Sequence, residues 1–171
     1  MNVGGDRRRF DATQGPRLVG PADGEAVDLV TLGVRFMVWS VESGGGFSLV
    51  EHPIAPRVLC APLHRHSHED EYSYVLEGRM GAQLGNDVVF AGVGDLVFKP
   101  RGQWHTFWNA GDTPCRILEI ISPGGFERFF AEVAGPEENV GTAARYGMEF
   151  DVDSIPRLCA EHGLTFPVPS D

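Results

Sequence analysis

Residues Leu63–Gly78 read LHRHSHEDEYSYVLEG. His64, His66 and His68 precede Glu71, and the chain then runs into an apolar segment. His64 and His66 are two apart, and side chains two apart on an extended strand point to one face. Both imidazoles can therefore reach one point. Such a cluster is either a metal site or a surface histidine-rich tract. A second stretch, Gly94–Asn109 (GDLVFKPRGQWHTFWN), shifts the balance because it brings His105 on what reads as another strand. Imidazoles plus one carboxylate from two strands make a complete donor set for a transition metal.

Working outward, the flanks read as β structure. Val27–Leu32, Val34–Val41 and Phe47–Ile54 are rich in β-branched and aromatic residues, and Val58–His64 leads into the histidines. Tyr72–Leu76 follows. Met80–Leu84 and Val88–Ala91 flank Gly85–Asn86, a two-residue hairpin signal. Asp95–Lys99 ends at Pro100–Arg101–Gly102, which suits a type I turn with Pro at its second position. Trp104–Trp108 and Cys115–Ile121 read as the next hairpin, joined by Asn109–Pro114. Short strands at even spacing predict an all-β barrel or sandwich. After Ser122 the period changes: Phe126, Phe129, Phe130 and Val133 fall at helical spacing and read as core packing. A weaker helix is expected over Glu137–Tyr146. A third is capped by Asp153 or Ser154, with His162 in its last turn and Gly163 beyond.

The organisation expected is a flexible arm over 1–24, a barrel over 25–122 and a helical extension over 123–171 packed on the barrel. A chain of 171 residues is long enough for a sizeable core. The formal net charge of −10 argues against nucleic acid and anionic membranes as partners. No apolar run approaches the roughly 18 residues of a membrane span. No secretory signal is visible after Arg7–Arg9, and Cys60, Cys115 and Cys159 are odd in number and form no CxxC pair. A cytoplasmic protein with reduced thiols is the expectation.

The two stretches resemble the motifs of the cupin superfamily. The first, G-x5-H-x-H-x3,4-E-x6-G, is matched by His64, His66, Glu71 and Gly78, with Val58 where the leading Gly would fall. The second, G-x5-P-x-G-x2-H-x3-N, is matched throughout by Gly94, Pro100, Gly102, His105 and Asn109. The resemblance covers about residues 25–122, and the C-terminal helices look like those of small single-domain cupins similar to quercetin 2,3-dioxygenases. It implies a double-stranded β-helix (jelly-roll) barrel, a homodimer, and one divalent transition metal (Fe, Mn, Ni, Cu or Zn) on His64, His66, Glu71 and His105. His68 is the rival ligand. Glu71 is an odd number of residues from both histidines, so a bend or bulge is expected within Ser67–Asp70.

Strand alternation places Ser73 and Val75 on the face of Glu71, and Gln103 and Phe107 on the face of His105. Val75, Gln103 and Phe107 are thus the expected lining of a substrate pocket, with Tyr72, Tyr74 and Arg65 pointing away. His52 reads as structural. The resemblance implies a metal-dependent dioxygenase acting on a small aromatic or enolic compound, with Glu71 as ligand and proton acceptor. The alternatives are a small-ligand sensor or storage cupin without turnover, and a cupin isomerase or decarboxylase.

Overall fold

A computed structural model describes residues 16–134 and 139–168. Among the described residues ten strands precede any helix: β1 (Ala26–Asp28), β2 (Gly33–Val38), β3 (Ser48–Ile54), β4 (Leu63–His66), β5 (Asp70–Glu77), β6 (Arg79–Leu84), β7 (Asp87–Gly92), β8 (Leu96–Lys99), β9 (His105–Asn109) and β10 (Cys115–Ser122). Then come α1 (Glu127–Val133), α2 (Asn139–Arg145), β11 (Met148–Asp151) and α3 (Ser154–His162). The strands form two antiparallel sheets, ordered β1-β2-β3-β10-β5-β8 and β11-β4-β9-β6-β7. This is the jelly-roll that the family resemblance implies, and it fits the all-β barrel or sandwich that the strand pattern predicts.

Alternation decides which side chains enter the barrel. On β10, Cys115, Ile117, Glu119 and Ile121 are buried while Arg116, Leu118 and Ile120 are less so. Val75, Met80, Ala82, Phe107 and Ile117 close one end of the barrel. Phe36, Val50, Ile121, Phe126, Phe129, Phe130 and Met148 form a second cluster that joins the barrel to α1. Outside the second sheet, Leu158 and Leu164 cover Trp108, and His162 stacks on its indole at 4.5 Å. Every residue of β9 is therefore buried.

Several local expectations change. Residues 104–108 and 115–121 do not form a hairpin: β9 and β10 lie in different sheets. Asn109 shapes the crossing, donating to the carbonyls of Ile54 (3.1 Å) and Thr113 (2.8 Å) and accepting from Gly111 N–H. The turn after β8 is one residue later than expected. Gln103 N–H bonds to the Pro100 carbonyl, and Gly102 takes φ 75°, which puts Gly where a left-handed backbone is needed. Gly102 N–H goes instead to the His66 carbonyl at 2.7 Å, which locks this turn onto β4.

The first expected strand breaks after Asp28, whose carboxylate accepts from Val30 N–H at 2.8 Å and turns the chain. The C-terminal segment is not purely helical, since β11 pairs with β4 and completes the second sheet. Its four residues are too few to show a period between two helices. Ser154 does not cap α3; its hydroxyl accepts from Leu63 N–H and donates to the Asp151 carbonyl, tying the helix to β4. The described part of the N-terminal arm is held down: Arg17 bonds to Glu42 and the Met37 carbonyl, and Arg35 to the carbonyls of Gly20 and Asp23. Residues 1–15 of that arm lie outside the described residues. No described helix is long and apolar enough to cross a membrane.

Candidate metal centre

His64 and His66 project inward from β4, His105 from the neighbouring β9, and Glu71 from β5 in the facing sheet. The odd spacing between His66 and Glu71 thus needs no bulge within a strand. Residues 67–69 carry the chain from one sheet to the other, and both strands face the same interior. One donor atom from each of the four side chains lies within 4.8 Å of the others, and all four residues are buried. His68 is exposed and stays outside this group.

The rings are aimed by the backbone. His64 Nδ1 meets the Pro62 carbonyl at 2.8 Å and His105 Nδ1 meets the Gln103 carbonyl at 2.9 Å. A carbonyl only accepts, so each Nδ1 carries the proton; the Nε2 lone pair of His64 faces the interior, and His105 Nε2 lies 3.2 Å from Glu71 Oε2. His66 is buried with neither ring nitrogen in a hydrogen bond. Burial holds His64 well below the ordinary histidine value and lowers His66 to about 4, so both are neutral. Three buried imidazoles, one of them without a hydrogen-bond partner, around a carboxylate fit a divalent transition metal.

Glu71 is the charged member. Burial opposes its ionisation, but the Lys99 cation beside it outweighs that and holds the carboxyl well below the usual range. Lys99 Nζ is 2.9 Å from Glu71 Oε2 and 2.9 Å from Glu119 Oε1. Glu119 in turn accepts from the Ser73 hydroxyl at 2.6 Å. Burial disfavours the Lys99 cation, yet the two carboxylates raise its pKa, while burial raises that of Glu119. This triad escaped the motif-based reading. Its signal was nevertheless present: Lys99 is the chain's sole lysine, and both it and Glu119 occupy inward positions of apolar strands.

A cavity of about 350 Å³ opens onto the cluster. Phe107, Phe126, Phe129, Phe130 and Phe150 wall it, and His52, Glu71 and Glu119 supply polar atoms. Of the expected lining residues, Phe107 is there and two are not. Val75 shares the face of Glu71 but lies four residues along, about 13 Å away at strand rise, in the apolar end of the barrel. Gln103 is exposed, because it still belongs to the turn and the alternation begins only at His105. Tyr72 stacks on Phe98, Tyr74 is 40% exposed, and Arg65 pairs with Glu149, all away from the cavity as expected.

Fold and cluster together define a small double-stranded β-helix with a buried His/Glu group that could hold a metal ion. Residues 54–121 match the family model described as a cupin domain, so the barrel of this chain carries a cupin domain. Over 60 residues it is 33% identical to tetracenomycin polyketide synthase protein TcmJ of Streptomyces glaucescens, a match covering 35% of this chain and 40% of that one. Among solved structures, KdgF from Halomonas sp. has a TM-score of 0.58 at 13% identity, covering 66% of this chain and 98% of that one. An RmlC-like cupin from Shewanella frigidimarina has a TM-score of 0.57 at 17% identity, covering 67% and 97%. A predicted oxalate decarboxylase from Thermotoga maritima also has a TM-score of 0.57, at 19% identity, covering 63% and 99%. At such identities the likeness shows the fold alone.

Proposed function

We propose that this cupin is a metal-dependent dioxygenase of a small, apolar, aromatic or enolic compound. The observation that carries the reading is the opening of the histidine–glutamate cluster onto a phenylalanine-walled cavity. Such walls favour flat apolar molecules and offer little to a sugar or a small dicarboxylate. His64, His66, Glu71 and His105 would hold the metal, and when bound it supplies Lewis acidity and, if redox-active, electron transfer between substrate and O2. The chain's own residues do the rest. The phenylalanines exclude water and stack on the ring, and Glu71 is the carboxylate placed to take the substrate's hydroxyl proton.

Metal analysis of protein purified without a histidine tag, followed by O2 uptake with enols, catechols and flavonols, tests this. Stoichiometric metal with O2 consumption supports it, and turnover of none of these compounds by the loaded protein overturns it. The match to a polyketide synthase protein favours a second reading, non-oxidative isomerisation or cyclisation of an enolisable polyketide-like compound. Product formed equally well without O2 would select it. Tight binding without any product would select the sensor or storage role.

A further inference from the structure

His52 reads from sequence as a structural residue on β3, yet its side chain lines the cavity. Its Nδ1 meets the Gly33 carbonyl at 3.0 Å, so Nδ1 carries the proton and Nε2 bears a lone pair. The ring is 1% exposed and is held edge-on to Phe130 at 5.3 Å between centroids, with Phe107 at 6.3 Å. Among the described residues nothing donates a hydrogen bond to Nε2. Of the other titratable polar groups that line the cavity, Glu71 and Glu119 are engaged by Lys99, His64 by the Pro62 carbonyl, and His66 lies within the His/Glu cluster. Burial lowers the His52 pKa to about 4, so the imidazole is a neutral acceptor at physiological pH.

We propose that His52 is a substrate-binding residue that accepts a hydrogen bond from a second hydroxyl of the substrate, distant from the oxygen directed at the metal cluster. The ligand class is therefore a polyhydroxylated aromatic compound rather than its O-methyl ether. An unpaired acceptor in an apolar wall rejects an ether oxygen, which brings only lone pairs. The inference rests on the proposed function, because it takes the phenylalanine-walled cavity as the substrate site.

The test compares 2,7-dihydroxynaphthalene with 7-methoxy-2-naphthol, binding each to the metal-loaded full chain by calorimetry. Both keep one hydroxyl for the cluster and differ only at the far oxygen. The unmutated protein should bind the diol about 5–10-fold more tightly, as one buried hydrogen bond allows. His52→Asn retains a donor for the Gly33 carbonyl and loses the acceptor at Nε2. It should bring the ratio close to one, by weakening the diol and relieving the rejection of the ether. His52→Gln, which reaches the Nε2 position, should keep part of the preference. In the unmutated protein the ring nitrogen resonance of His52 should move with the diol and stay with the ether. Equal binding of both compounds by the unmutated protein, or an undiminished ratio in His52→Asn, overturns the role of His52 and leaves the cavity reading intact. Binding of neither compound overturns both.

Discussion

Lys99 and Glu71 form a fully buried ion pair, 2.9 Å from Nζ to Oε2, in which the cation is shared with Glu119 at the same distance. Lys99 is 1% exposed, and its ammonium also sits 4.7 Å from the centre of the Phe107 ring. One cation between two carboxylates keeps both in place, and orients the one that belongs to the metal cluster.

Removing that cation should be expensive. Lys99→Met leaves two buried carboxylates without their partner, and breaking such a pair costs about 3–5 kcal/mol. The double variant Lys99→Met/Glu119→Gln removes one stranded charge and should recover part of the loss. Urea denaturation of the three proteins measures this. Equal stability of the single variant and the parent would show that the pair contributes nothing.

His105→Ala should abolish stoichiometric metal without unfolding the barrel. Gly102 still bonds to the His66 carbonyl and Asn109 still holds the crossing to β10. Metal analysis beside a thermal melt checks it, and full metal content in the variant would sink the ligand assignment.

Glu71→Gln keeps the size and one donor oxygen while removing basicity. If Glu71 takes the substrate proton, turnover should fall about 10²–10⁴-fold, the usual contribution of one general base, while metal content falls less. Parallel losses of metal and turnover would leave Glu71 as a ligand alone.

Stability should decline with acid through His52. Burial lowers its pKa from 6.5 to about 4, against the opposing Gly33 hydrogen bond. The unfolded chain therefore binds the proton first. This contribution is complete above pH 6.5 and is lost as pH falls toward about 4, on the order of 3 kcal/mol in all. Chemical denaturation at pH 7.5 and pH 4.5 should show a shallower pH dependence in His52→Asn than in the parent. Identical pH dependence would refute it.

Much of this was legible without coordinates, for physical reasons. Strands announce themselves by alternation, so the barrel, the β6–β7 hairpin and the inward His64, His66 and Phe107 could be read locally. The ligand set itself came from the spacing of two family motifs, because alternation alone could not separate His64 from His68 or bring Glu71 to the same side.

Tertiary structure decided the rest. Whether β9 pairs with β10 depends on which sheet each joins, and the period of a strand carries no such information. The odd spacing of His66 and Glu71 does call for a bend or bulge within Ser67–Asp70, and the chain bends there. The same blindness hid that this bend carries the chain into the facing sheet, and hid the addition of β11 to the edge of β4. It also misplaced Val75 and Gln103, since a shared face does not fix depth along a strand or where a turn ends. Lys99 and Glu119 are 20 residues apart on strands that do not pair, joined only through β5 between them. Their meeting at Glu71 is a property of the folded barrel, because long-range charge contacts follow from sheet order and leave no local period.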